Sequence, residues 1–183
     1  MLYTQIEVCD KRPFCNAAPR YGRKKVMMIR QVSIRQAVID DSHVVASLVL
    51  ELLIEIEPAY AETLTLKGLS GVAESLLADD QGYWAFLAVD DEGGIVGVLT
   101  LNECAAIYAN GLFGEIAELY VTPEWRSAKT GALLVDAAVA FGRDRGWSLM
   151  VVGAPELPDG RRAVNFYLGY GFKMSGPGLE MDL

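Results

Sequence analysis

Residues 119–132, Leu119-Tyr120-Val121-Thr122-Pro123-Glu124-Trp125-Arg126-Ser127-Ala128-Lys129-Thr130-Gly131-Ala132, read as a β-strand that breaks at a proline and passes through a small-residue loop into a helix. The first N–H groups of a helix have no intrahelical acceptor and carry the positive end of its dipole, so a loop that feeds them builds an anion site, and phosphate suits it best. An ordinary strand-loop-helix connection with a charged surface turn uses the same residue types. Other chemistries are poorly served. Cys9, Cys15 and Cys104 have neither the pair spacing of a zinc site nor an even count for a disulfide framework, and the only histidine, His43, falls on a predicted helix far from Cys104 in sequence. Cys–His and Ser–His catalysis and His-based metal sites are thereby disfavoured, and no metal is expected. Cys104 reads as a small apolar filler at the end of a strand.

At 183 residues the chain has room for one domain, and a domain near this size buries roughly 70% of its unfolded surface. Although 52% of its residues are apolar, Ser47, Glu51 and Glu55 interrupt the longest candidate run, Val44 to Ile56, short of the ~18 apolar residues a membrane span needs. A protein away from the membrane is expected, and the cysteine usage and lack of an apolar signal-peptide core point to the cytoplasm. The net charge of −8 hides an asymmetry, with six Lys/Arg against two acids in residues 1–26 and ten against twenty-two from Met27 onward. An acidic folded part repels nucleic acid and anionic membrane and favours cationic partners such as amines, although the same balance also serves solubility alone.

The elements that must position the loop follow from periodicity. Residues 1–28 carry Pro13, Pro19, Gly22 and the run Arg23-Lys24-Lys25 without a sustained period, and are expected to form a disordered basic tail; residues 29–183 are expected to form the one domain. Val32 and Ile34 alternate as in a strand. Asp40 or Asp41 is expected to cap a helix whose apolar face is Val44, Val45, Leu48, Val49, Leu52, Leu53 and Ile56, with Pro58 past its end. Leu69, Val72, Leu76 and Leu77 mark a second, shorter helix. Tyr83–Val89 and Ile95–Cys104 read as an antiparallel hairpin across Asp90-Asp91-Glu92-Gly93-Gly94. A loop around residues 107–112 leads to the strand Glu115–Val121, and the helix beyond the phosphate loop runs over Thr130–Arg145. Ser148–Val152 reads as a buried strand, Arg161–Leu168 as a short helix, and Phe172 onward as a final hairpin. The order predicts an α/β (α+β mixed) fold, a mixed sheet with helices on both faces.

Three segments stand in a recognisable order. Ala117-Glu118-Leu119-Tyr120-Val121-Thr122-Pro123-Glu124-Trp125-Arg126 looks like a central strand and the start of a pyrophosphate loop, and Arg126-Ser127-Ala128-Lys129-Thr130-Gly131 is similar to the pattern Arg/Gln-x-x-Gly-x-Gly/Ala. Ala163-Val164-Asn165-Phe166-Tyr167-Leu168-Gly169-Tyr170-Gly171-Phe172 looks like a late helix and its Gly-Phe turn. The constellation resembles the GNAT superfamily, the acetyl-CoA-dependent N-acetyltransferases, over nearly all of residues 29–183. The resemblance implies a mostly antiparallel sheet whose central strands, here Glu115–Val121 and Ser148–Val152, splay apart. Between them would lie the pantetheine arm of acetyl-CoA, bonded to the backbone around Leu119, Tyr120 and Val121, with its pyrophosphate against Arg126, Ser127, Ala128, Lys129, Thr130, Gly131 and Ala132. Two positions depart from the pattern. Lys129 stands where the first loop glycine belongs, so a need for positive φ would reshape the loop, and its ammonium would either meet a phosphate or point to solvent. Gly160 stands where many members have Asn.

Acetyl transfer to an amine requires a base for the ammonium proton, stabilisation of the carbonyl oxygen and a proton donor for the leaving thiolate, with neither a metal nor a covalent enzyme intermediate. The resemblance implies Tyr167 as the thiolate's acid; plain core packing is the other use of Phe166-Tyr167. It also puts a base near Glu115. On a regular strand Glu115 and Glu118 face opposite sides, so only one looks into the cleft, and a bulge would reverse that parity. Glu118 stands nearer the expected thioester and is the preferred base, acting directly or through a water. The acceptor, an amine on a small molecule or a protein, is expected at the first two helices and the Pro58–Gly68 loop, at Glu57 and Tyr60, although exposed glutamates there are also explained by solvation. Neither nucleic acid nor membrane is an expected partner, and a homodimer is compatible. A non-catalytic acyl-CoA-binding regulatory domain would keep the same fold and groove.

Overall fold

The computed structural model describes residues 31–78, 82–126, 128–153, 158 and 160–176. The expected tail of residues 1–28, Ser127, most of the loop 154–160 and the chain past Gly176 lie outside the described residues. The elements are β1 (Val32–Gln36), α1 (Ser42–Ile56), α2 (Tyr60–Thr63), α3 (Leu66–Leu77), β2 (Tyr83–Asp90), β3 (Ile95–Ala106), β4 (Gly111–Val121), α4 (Thr130–Asp144), β5 (Met150–Val152) and α5 (Arg161–Tyr170). The strands form one sheet in the order β1-β2-β3-β4-β5, antiparallel except for the parallel pair β4–β5.

β2 shows why the sheet must be covered twice. Its sequence YWAFLAVD is apolar without alternation, as expected of a strand buried on both faces. Trp84, Phe86 and Ala88 point into a core shared with Leu134, Val135 and Ala138 of α4 and Tyr167 of α5, whereas Ala85 and Leu87 point into one shared with Val45, Ala46 and Leu48 of α1 and Ala73 of α3.

Four local expectations change. Asp41 precedes α1 without capping it; its carboxylate accepts from both terminal nitrogens of Arg35, at 2.7 and 2.8 Å, and from the Val38 N–H at 2.8 Å. An ion pair with β1 has outcompeted the cap. The expected loop at 107–112 is only a turn at 107–110, closed by Asn110 and Gly111 with φ of 55° and 128°, and β3 and β4 pair down to Ala106 and Gly111. The expected strand Ser148–Val152 is ordered as β5 over its last three residues, and Phe172–Gly176 form no strand.

The parallel pair is held by a glycine-lined aromatic. A Cβ on Gly114 would overlap the Trp147 ring, and one on Gly142 would lie 2.7 Å from it, so the indole packs against the backbone of both β4 and α4. Its Nε1–H donates to Glu103 at 2.6 Å, and its ring packs against Trp84 and Phe141. Because the indole must shift to admit a methyl group, Gly114→Ala is expected to destabilise the fold by about 1–3 kcal/mol, the usual cost of overpacking. Urea unfolding measures it, and an unchanged midpoint would show that the indole moves freely.

Candidate active site

β3 and β4 pair residue for residue from Ala106↔Gly111 to Leu101↔Ile116, and again from Leu99↔Leu119 to Gly97↔Val121. Between these stretches β3 has Thr100 and β4 has both Ala117 and Glu118, a β-bulge. Glu115 pairs with Asn102, and Glu118 is hydrogen-bonded to Thr100, two residues along the same face of β3. Both glutamates therefore lie on the α1/α3 face, and the parity expected of a regular strand does not hold. They differ along the strand. Glu115 lies where β4 is still paired with β5, opposite Val151, with the Cys104 thiol 3.8 Å from its carboxylate. Glu118 lies just beyond the last pair, Ile116↔Val152.

From Ala117 to Val121 that edge of β4 has no strand partner among the described residues. Because the Thr122 N–H donates to the Val96 carbonyl at 3.0 Å, alternation turns the backbone of Tyr120 toward β3 and directs the N–H and C=O groups of Leu119 and Val121 to the open edge. The Val121 carbonyl accepts from Arg126 Nε at 2.8 Å. Tyr120 differs from its two neighbours, since its side chain is also buried, in the α1/α3 core.

The open edge runs into the N-terminus of α4. Lys129 precedes the helix in the left-handed conformation, φ 66° and ψ 4°, so it supplies the backbone shape that a glycine would give, and the loop is not reshaped. Thr130 is buried and its hydroxyl donates to the Trp125 carbonyl at 3.2 Å. A Cβ on Gly131 would stand 3.5 Å from Phe166 of α5, an ordinary contact. Ala128 and Lys129 are exposed and Ala132 is half-buried. The Arg126 side chain meets the edge only at its Val121 end and reaches on toward α1. It forms a bidentate pair with Glu55 of α1, with Nη1 2.9 Å from Oε1, and its guanidinium sits 5.4 Å from the centre of the Tyr120 ring.

Glu118 is largely buried, and desolvation pushes its carboxyl above the ordinary glutamate value. The wholly buried Thr100 hydroxyl donates to its Oε2 and accepts its backbone N–H at 3.0 Å. Tyr83, hydrogen-bonded to Thr100, is pushed up to about 12, first by burial and then by the Glu118 charge. Neither Thr100 nor Tyr83 was singled out by sequence; the signal was a polar residue inside the apolar run Val96-Gly97-Val98-Leu99-Thr100-Leu101. Tyr167 lies in the core on the opposite face of the sheet, its ring centroid 5.2 Å from that of Phe166 and 5.4 Å from that of Phe172, and burial alone pushes its hydroxyl up to about 12. Glu57 and Tyr60 are exposed at the α1–α2 corner, where Glu57 accepts the Ala59 N–H at 3.1 Å. The Glu55–Arg126 pair ties the end of α1 to the end of β4. Among the described residues no group of three or more His, Cys, Asp or Glu could hold a metal ion, and no helix is long and apolar enough to cross a membrane.

Residues 81–174, covering the bulge, the open edge and the α4 N-terminus, match the profile of the acetyltransferase (GNAT) domain. The chain belongs to the GNAT family. An uncharacterized N-acetyltransferase of Schizosaccharomyces pombe is 35% identical over 95 residues, 50% of this chain and 52% of that protein, so the chain spans about half the length of the curated relative it matches. A ribosomal-protein-alanine N-acetyltransferase from Brucella melitensis shares the GNAT fold with a TM-score of 0.62 at 23% identity, over 84% of this chain and 100% of the other. An aminoglycoside N-acetyltransferase in complex with CoA does so with a TM-score of 0.65 at 16% identity, over 84% and 95%.

Two features of this GNAT site oppose stability. A carboxylate whose folded pKa is raised favours folding below its unfolded pKa and loses that contribution as pH rises through the folded one, so ionised Glu118 is a burden at neutral pH. Glu118→Gln is expected to raise the melting temperature at pH 7, by an amount that shrinks below the ordinary value of 4.5; a fall at pH 7 would refute the burden. Lys129→Gly relieves a left-handed lysine and is expected to stabilise the fold by about 1 kcal/mol, read by urea unfolding.

Proposed function

We propose that the protein transfers the acetyl group of acetyl-CoA directly to a primary amine, without a covalent enzyme intermediate. The observation that carries this reading is the placement of Glu118, a largely buried carboxylate at the bulge where β4 leaves β5, at the head of an open backbone edge that leads to the N-terminus of α4. The fit to acetyl-CoA rests on that edge. Leu119 offers its N–H and C=O groups and Val121 its N–H to the pantetheine amides, and the first N–H groups of α4, with Lys129 beside them, suit a pyrophosphate. Acetyl-CoA supplies an acyl group activated by a thiol leaving group. CoA in the aminoglycoside N-acetyltransferase of the same fold supports the choice of donor.

Glu118 takes the proton from the incoming ammonium, and desolvation, by moving its carboxyl toward the working pH, makes it a better base. Tyr167, held protonated at all working pH values, donates a hydrogen bond toward the departing sulfur; a hydroxyl at about 12 does not ionise there at low cost. Glu57 and Tyr60 at the α1–α2 corner, on a chain of net charge −8, suit a cationic acceptor.

Acetyl-CoA consumption with a panel of amines, read by release of free thiol, tests the activity. Glu118→Gln is expected to lose kcat/KM deeply near neutrality and less at high pH, where the amine deprotonates unaided, while Glu115→Gln keeps the wild-type profile. Tyr167→Phe is expected to lower kcat by ~10²-fold or less and spare CoA affinity. Acetyl-CoA is expected to raise the melting temperature more than pantetheine does, since only the former reaches the α4 N-terminus; turnover with no amine, or equal shifts, would contradict the assignment.

A further inference from the structure

Resting on the reading of Glu118 as the base, we propose that Thr100 is its positioning residue: one hydroxyl on β3 both locks the β4 bulge and aims the Glu118 carboxylate. A bulge leaves the extra residue without its ladder partner, and a buried N–H left unbonded costs about 1–3 kcal/mol. Thr100 Oγ1 fills that vacancy, accepting the Glu118 N–H at 3.0 Å, and gives its own proton to Oε2 of the same residue. The two bonds close a ring through backbone and side chain, fixing both the bend of the strand and the direction of the carboxylate.

A hydroxyl has one proton and two lone pairs. With the proton on the carboxylate, a lone pair serves the Glu118 N–H, and the neighbouring Tyr83 hydroxyl is pushed up to about 12, first by burial. A hydrogen bond to the ionised carboxylate favours that form and opposes desolvation, so Thr100 limits how far the base is pushed up. The other titratable groups on this side include Tyr83 from β2, Cys104 from β3, Glu115 and Tyr120 from β4, Glu51 of α1, which is bonded to Tyr120, and the Glu55–Arg126 pair beside it. Desolvation is what moves the Glu118 carboxyl.

The test compares Thr100→Val, Thr100→Ser and Glu118→Gln in the full chain. Three readouts are taken: thermal unfolding, the pH profile of kcat/KM, and the carboxyl-carbon NMR titration of Glu118 without ligand, assigned by its loss in Glu118→Gln. Thr100→Val is expected to move the Glu118 titration and the acid limb of the profile to higher pH. It should also lower kcat/KM about tenfold at pH 7 and leave the KM for acetyl-CoA within twofold, while Thr100→Ser restores all three. Should Thr100→Val not fold, Thr100→Ala is read in the same way. An unmoved titration and profile in either folded variant, with Glu118→Gln deeply impaired, overturns the role of Thr100 and spares the base. A Glu118→Gln protein with the wild-type profile overturns both.

Discussion

Opposite Thr100, β4 sets two residues where β3 sets one, and the direction of every group downstream depends on that mismatch. Up to Ile116 the strand pairs on both edges. The extra residue turns Glu118 onto the same face as Glu115 and shifts the alternation so that Leu119 and Val121, rather than Tyr120, address the β5 side. A bulge also bends its strand and increases the local twist, which carries β4 away from β5. At the other end Trp147, packed against Gly114 and Gly142, ties β4 to α4. The sheet is thus closed at Gly114–Ile116 and open from Ala117, with the hinge between.

The site concentrates what a stability-optimised domain would avoid. A carboxylate is held largely out of water at the bulge, and a lysine sits in the left-handed region at the start of α4. Such strained or desolvated groups persist only where the surroundings over-determine them. Here the determinants are visible: Thr100 bonds Glu118 at backbone and side chain, and the Thr130 hydroxyl ties the helix start back to Trp125. The relief expected on removing either burden is the usual trade between stability and activity.

Arg126 joins the two halves of the site. Its Nε holds the carbonyl of Val121 at the end of the open edge, and its terminal nitrogens hold Glu55 near the end of α1. An exposed pair of this kind contributes only about 0–1 kcal/mol. Its effect is geometric: it sets the end of α1, just before the corner bearing Glu57 and Tyr60, beside the loop that leads into α4. Arg126, which the resemblance offers as a phosphate contact, bonds Val121 and Glu55 with its side chain, and the fold brings the acidic end of α1 to it.

Most of the elements are local consequences of the residues that form them. The unbroken apolar run of β2, the 3.6-residue face of α1 and the Gly146 stop after α4 are local signals whose physics acts within a few residues, and the structure follows them. The order of motifs from Ala117 to Phe172 was enough to recognise the family and to place the open edge and the helix N-terminus. Thr100 was readable only as a polar residue in an apolar run. What the tertiary structure alone decided was which face Glu118 occupies, why Asp41 pairs with Arg35 instead of capping α1, and that the segment at 107–110 is a tight turn. Each depends on a partner elsewhere in the fold. A bulge is a mismatch in count between two strands, and nothing within β4 records that β3, eighteen residues away at Thr100, is one residue short.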